Sequence, residues 1–440
     1  MQFEKPGYSA NAEMPNVPTK YKQSGIGVIP NDWEIKPMRA FGKFEKGRGL
    51  LKEDIRSFGS IPAIPYTALY TDFSEIINCD EIKWFVDEPA KTCVVCEPCL
   101  LIASSSNMEA NTGKACALIG TACVAIGREV IILKTRENCS FLSYLLSTST
   151  YRRQTLILAR GTTIKHLYPA TFLDYKVALP CRSEQNAIAD ALSDVDGLLE
   201  ALEALIVKKR AIKKAAMQQL LTGKTRLPGF SGKWETKQIV EVAEVKTGPF
   251  GSALHERDYV AEGTPIITVE HLGERDVLHS NLPMVSDADR ERLRAYSLTV
   301  GDIVFSRVGS IDRNALIRDT EEGWLFSGRL LRLRPDRAHI SSSYLNYHFH
   351  SEQFRTRIRE VAVGQTMASL NTRIVQEAEV VLPCLSEQTA IAKILSDMDA
   401  EIAALEARRN KTRAIKQGMM QQLLTGRVRL VKPEQAEVNA

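Results

Sequence analysis

The chain has 440 residues, 44% of them hydrophobic and 25% charged, with a formal net charge of +4. At ~150 residues per domain this length holds two or three globular units, and the composition excludes disordered and fibrous classes. No apolar run approaches the ~18 residues of a membrane span, and so small a positive excess permits nucleic-acid binding without requiring it.

Residues 1–24 are polar, with prolines at 6, 15 and 18, and lack the apolar core of a signal peptide. They read as the loose N-terminal tail of a cytoplasmic protein. Residues 25–180 carry IPAIPYTALYTDF, VVCEPCLLIASSS and REVIILK, short β-branched runs broken by Gly, Pro, Asn and Ser. That texture predicts a mixed α/β domain with irregular sheets. Within it, Lys46-Gly47-Arg48-Gly49 and Lys114 combine cations with glycine, which lets a backbone approach phosphates or base edges closely. Turn glycines beside solvated charges are the plainer reading of the same residues.

Two patterns in this stretch suggest other chemistry. Cys93-x2-Cys96-x2-Cys99 has metal-ligand spacing, but no fourth Cys or His follows within reach. Flanking Val94, Val95, Leu100 and Leu101 point to a buried strand instead. The nine cysteines of the chain are an odd number, expected as reduced core residues. Glu81-x-Lys83, with Asp72 or Asp80 before it, mimics the carboxylate-plus-lysine set of metal-dependent nucleases. Solvated strand residues give the same short pattern.

Residues 181–228 predict one long helix. Ser183 is the N-cap candidate, and Gly223 stands where a left-handed C-terminal cap belongs. Ile188, Leu192, Val195, Leu199, Leu202 and Ile206 step 4-3-4-3-4, the seam of a coiled coil. Residues 229–382 return to strand texture with GTPIITVEHL and LTVGDIVFSRVGS, and place Arg307-x-Gly309-Ser310 and Arg313 together. Residues 383–428 predict a second helix, with Ser386 as N-cap candidate, Gly426 as C-cap and Ile391, Leu395, Met398, Ile402 and Leu405 as its seam. Residues 429–440 form a short tail.

The two helices are copies. Residues 179–227 align with 382–430 at a constant offset of 203, with 31 of 49 positions identical. The offset continues upstream, where Gly161 and Thr163 match Gly364 and Thr366. In both helices acids fill the N-terminal half and bases the C-terminal half, from Glu184 to Lys214 and from Glu387 to Lys416. A parallel pair sets acid against acid, whereas an antiparallel pair matches opposite charges along its length. The expected fold is α+β: two mixed α/β domains separated by two long helices packed as an antiparallel coiled coil, with a pseudo-two-fold internal repeat and the domains at opposite ends. A phosphate loop is missing, since Gly223-Lys224-Thr225 has Gln218 where GxxxxGK[ST] needs glycine. GxGxxG and Asn-Pro-Pro or Asp-Pro-Pro segments are also missing.

With the repeat established, the chain resembles the DNA-specificity subunit of type I restriction–modification enzymes over nearly everything after residue 20. The resemblance is carried by the paired SEQ…AI…LSD.D…LE…R..IK…MQQLLTG helices, by YKQSGIGVIPNDWE at 21–34 and GFSGKWE at 229–235, and by KTGPFGSAL at 246–254 and GDIVFSRVGSIDRNALI at 301–317. Asp312, and Glu97-Pro98-Cys99 before LLIASSS, depart from the family pattern. The resemblance implies a non-catalytic subunit with two target-recognition domains, each reading half of a split double-stranded DNA target. It implies as partners two adenine-methylating modification subunits and ATP-dependent restriction subunits, with S-adenosylmethionine, ATP and Mg bound by those partners. No cofactor, metal or membrane is then expected for the chain itself. Candidate DNA contacts are Lys46, Arg48, Ser104, Ser105, Lys114, Thr163 and Lys165 in the first domain. In the second they are Lys246, Ser252, Arg307, Ser310, Arg313, Gln365 and Thr366. The seam residues named above, apart from Ile206, are the candidate helix-packing and subunit-interface positions. The resemblance also makes the helices a ruler between the half-sites, and the geometry agrees: a helix of ~39 residues spans about 58 Å, at most roughly 17 base pairs of DNA. A metal-dependent nuclease and a protein-only scaffold are the rival readings.

Overall fold

The computed structural model describes residues 19–87, 92–108, 111–249, 254–309, 311–362 and 370–431. The chain divides into two compact units, residues 1–201 with 409–440 and residues 202–408. Each unit holds one sheet-rich domain, the first half of one long helix and the second half of the other.

In the first unit a five-stranded sheet runs in the order Gly42–Lys46, Val130–Thr135, Cys99–Ala103, Ala115–Ile119, Ile76–Asn78. Its apolar residues alternate faces, as the two-residue period of a strand demands. Leu100, Ile102, Ile131 and Leu133 enter one core with the helix Cys139–Ser147 and with Ile188 and Leu192 of the first long helix. Cys99, Leu101, Val130 and Ile132 enter another on the opposite face. A four-stranded sheet, Phe85–Val86, Ile61–Ile64, Val124–Ile126, Cys93–Val95, completes this domain.

The second unit repeats the plan. Ala243–Thr247, Leu330–Pro335, Ile303–Ser306 and Asn314–Leu316 form a four-stranded sheet, with a second sheet of four short strands beside it. Ile303, Phe305, Leu331 and Leu333 face Ile391 and Leu395 of the second long helix. In both units the strand leading into the long helix pairs with a strand near the start of the domain. Lys176–Leu179 pairs with Glu34–Pro37, and Glu379–Leu382 with Glu235–Gln238. Each domain is thereby zipped shut at the foot of its helix.

The long helices run Arg182–Leu220 and Leu385–Leu423. Their pairing is antiparallel, as the ion pairs within each unit show. Lys416 Nζ lies 2.7 Å from Asp196 in the first unit, and Lys209 Nζ 2.6 Å from Glu401 in the second. Arg210 pairs with Glu406 at 2.5 Å, and Lys213 with Asp399. Of the seam, Ile188, Leu192, Leu202, Ile206, Ile391, Leu395 and Ile402 are buried, while Val195, Leu199, Met398 and Leu405 are half-buried. The N-terminal seam positions pack into the domain cores as well as on the other helix, whose Met419, Met420, Leu423 and Leu424 share the core of Ile188 and Leu192.

The start of each helix differs from the expectation. Ser183 and Ser386 lie inside the first turn, and the capping position falls to Cys181 and Cys384. Their carbonyls accept from the backbone N–H of Gln185 and Gln388, each at 3.0 Å. The glutamine side chains hold this geometry by donating back to Pro180 and Pro383, at 3.0 and 2.9 Å.

Just inside each helix lies a buried carboxylate, Glu184 or Glu387, both fully shielded from solvent. Each is gripped by an arginine that follows the other helix's terminal glycine. Arg429 donates to both Glu184 oxygens, at 2.5 and 2.7 Å, and also to Asp32. Arg226 donates to both Glu387 oxygens, at 2.8 and 2.7 Å. Trp33 adds an indole N–H to Glu184 at 3.3 Å. Its counterpart Trp234 has no acceptor among the described residues, and instead lies under the Arg226 guanidinium at 5.5 Å. Further along, Tyr144 donates to Asp196 and Tyr347 to Asp399, both at 2.7 Å, tying each domain to its helix.

The terminal glycines are left-handed as expected, with φ of +71° at Gly223 and +67° at Gly426. Their surroundings differ. A Cβ on Gly426 would overlap the Pro30 ring and lie 3.1 Å from Trp33, whereas on Gly223 it would meet only Trp234, at 3.4 Å. Gly223→Ala is therefore expected to cost about 1 kcal/mol, the strain of the conformation alone. Gly426→Ala should cost clearly more, because the Arg429 turn must also move. Chemical denaturation of the two variants side by side checks the ranking.

Candidate nucleic-acid interface

The sequence candidates of the first domain fall into two groups. Lys46 ends an edge strand, and the loop after it turns sharply at Gly49, φ +67°, and Leu50, φ +50°. Gly47 permits this, since a Cβ there would overlap the Gly127 carbonyl oxygen. Its backbone N–H bonds the Val130 carbonyl at 2.9 Å. Arg48 lies exposed in this loop. Ser104 and Ser105 follow the central strand and are buried. The pair Ser105–Ser106 runs antiparallel to Lys165–His166, bringing Lys165 alongside. Thr163 is exposed in the loop just before. Lys46, Arg48, Ser104, Ser105, Thr163 and Lys165 thus gather at one end of the sheet.

Lys114 does not join them: its ammonium donates to the Phe73 carbonyl at 2.5 Å. In the second domain Lys246 donates to the Ala295 carbonyl at 2.8 Å and lies 5.0 Å from the Tyr296 ring, and Arg313 donates to the Leu272 carbonyl. These three cations brace their own domains. Arg307 occupies the position equivalent to Ser104, as described below. Ser252, Ser310, Gln365 and Thr366 lie outside the described residues.

One residue that the sequence reading passed over sits at the centre of the first cluster. Glu129 has φ +62°, rare for a residue with a side chain. Its carboxylate accepts from Lys46 Nζ at 3.3 Å and from Ser104 Oγ at 3.1 Å, and its carbonyl from the Ser104 N–H at 2.9 Å. Burial raises the Glu129 pKa, but Lys46 and the serines outweigh it and hold the carboxyl below its ordinary value. The group stays ionised at neutral pH.

The second domain builds the same frame from different side chains. Gly248 N–H bonds Leu330 O at 3.1 Å, as Gly47 does Val130; Arg307 N–H bonds Arg329 O at 2.9 Å, as Ser104 does Glu129. Leu370 N–H bonds Arg307 O at 2.8 Å, as Leu167 does Ser104 at 2.7 Å. Arg307 therefore corresponds to Ser104, and Arg329 to Glu129. Arg329 is exposed, and its guanidinium has no partner among the described residues.

The cysteine expectation needs correction. Cys96 is disulfide-bonded to Cys123, so not all cysteines are reduced. The pairing Val95↔Val124 between adjacent strands sets the next residues, Cys96 and Cys123, against each other. Cys99 is buried in the central strand, and burial drives its thiol pKa far up. Asp72 accepts from its neighbour Thr71, and Glu81 from Asn78 at 2.9 Å. Among the described residues no three His, Cys, Asp or Glu side chains are placed to share a metal.

The two equivalent frames coincide with a duplicated family match. A family model for the type I restriction modification DNA specificity domain matches residues 30–209 and again 231–413. The chain belongs to that family. Both specificity domains include the sheet and most of the long helix that follows it. The chain is 23% identical over 420 residues to the type I restriction enzyme MjaVIII specificity subunit of Methanocaldococcus jannaschii, covering 91% of this chain and 94% of that one. It is 22% identical over 433 residues to the EcoKI specificity subunit of Escherichia coli K12, covering 90% and 89%. Its fold is similar to the crystal structure of a type I restriction-modification S subunit from M. genitalium, with a TM-score of 0.58 at 16% identity over 89% of this chain and 96% of that one. No helix among the described residues is long and apolar enough to cross a membrane.

Proposed function

We propose that this chain is the specificity subunit of a type I restriction–modification system and reads a bipartite, asymmetric double-stranded DNA target, one half-site per specificity domain. The observation that carries this is the doubled specificity domain, whose two copies hold one loop frame with different side chains. A shared frame with changed polar groups is what reading two different half-sites requires. The recognition domains comprise residues 25–180 and 229–382, with spacer helices at 181–228 and 383–428. The helices set the half-site separation and dock two modification subunits, which in turn engage restriction subunits. Adenine methylation, ATP hydrolysis and their S-adenosylmethionine and Mg requirements belong to those partners, and the assembly works in the cytoplasm.

The test is domain exchange. A chimera with residues 231–381 replaced by those of another specificity subunit keeps Arg226 and Glu387, the grip at the foot of the second domain. With modification subunits present, methylated-adenine mapping should show one half-site changed and the other intact. A chimera that alters both half-sites would mean that the domains read DNA jointly.

A further inference from the structure

The loop frames of the two domains share three backbone hydrogen bonds, yet the position that these bonds hold carries opposite charge. In the first domain it holds Glu129, flanked by Ser104 and Lys46; in the second, Arg329, flanked by Arg307. Resting on the DNA-recognition reading above, we infer that residues 129 and 329 are equivalent base-reading positions, Glu129 selecting cytosine through its amino group in the major groove and Arg329 selecting guanine.

The chemistry distinguishes the two. An ionised carboxylate only accepts hydrogen bonds. It matches the N4 amino group of cytosine, and it repels the O6 and N7 acceptors of guanine, the N7 of adenine and the O4 of thymine. It is equally unsuited to a phosphate, which would set like charges together. Lys46 and Ser104 occupy part of its acceptor capacity and aim it, at 3.3 and 3.1 Å. A carboxylate has roughly four lone-pair directions, so sites remain for a base. Arg329 is the reverse case: its guanidinium only donates, and the guanine O6/N7 edge is its bidentate match. The left-handed backbone of Glu129, φ +62°, adds to the case. Strain of this kind persists where the surrounding structure fixes a side chain for a task.

The experiment uses the full chain assembled with its modification subunits and a randomised duplex DNA library, alongside methylation mapping in cells. Glu129→Gln and Glu129→Ala should each lose preference at one cytosine of the first half-site, by roughly 5- to 150-fold, with the second half-site untouched. Arg329→Ala should lose preference by a similar factor at one guanine of the second half-site only. Because Arg329 is exposed and has no partner among the described residues, its variant tests the idea even if Glu129→Ala fails to fold. Unchanged base preferences in the Arg329 variant and in Glu129→Gln overturn the inference and leave the DNA-recognition reading standing. A uniform loss of affinity with all preferences kept also overturns it, marking the residues as backbone contacts. A wild-type complex that selects no sequence at all refutes the DNA-recognition reading itself.

Discussion

Arg429→Ala is expected to destabilise the first unit by about 3–5 kcal/mol, the usual cost of removing one partner from a buried ion pair. Glu184 is fully buried and its two oxygens take most of their hydrogen bonds from Arg429, with Trp33 contributing one longer bond of 3.3 Å. Without the guanidinium, the carboxylate must stay charged in an apolar setting or take up a proton. The double variant Arg429→Ala with Glu184→Gln should recover part of the loss, since no unpaired charge then remains buried. Urea unfolding of the single and double variants measures this directly. Equal stabilities for wild type and Arg429→Ala would show that the grip contributes nothing. Arg226→Ala should act in the same direction through Glu387.

Leu192→Asp combined with Leu395→Asp is expected to abolish folding. Both leucines are fully buried, each in the core that its helix shares with a sheet. Truncating a buried leucine alone costs about 2–5 kcal/mol, and an unpaired carboxylate in its place adds several more. Set against a typical domain stability of about 5–15 kcal/mol, either substitution is grave and the pair leaves neither unit a core. Leu198→Asp is the control: that side chain is 39% exposed on the same helix and should change stability by no more than about 0.5 kcal/mol. Circular dichroism and limited proteolysis separate the cases. A folded double variant that still assembles with modification subunits would refute the role given to the helices.

The helices were legible because their information is local and written twice. The seam spacing, the charge gradient and the capping glycines each recur at the same offset, and each has a direct physical meaning along one helix. What the sequence concealed depends on strand pairing, which joins residues far apart. The Cys96–Cys123 link spans 27 residues and follows from which strands are neighbours. Glu129 meets Lys46 and Ser104 only because three strands end side by side. Lys114, Lys246 and Arg313 looked like free cations, but each finds a backbone carbonyl far along the chain. Ser183 misled for another reason: a serine shortly after a proline and just before Glu-Gln resembles a cap, yet the helix has already begun at Arg182.

The crossed grip of Arg226 and Arg429 also orders events on the ribosome. The second unit is continuous, from Leu202 to Arg408, so every residue it needs emerges in one stretch. The first unit opens the chain but is completed by residues beyond 408, among them Leu423, Leu424 and Arg429. Until those emerge, Ile188 and Leu192 lack part of their core and Glu184 lacks its cation. A nascent chain therefore closes its second unit before its first, and premature termination anywhere between 408 and 429 leaves the earliest-made half of the protein unfinished.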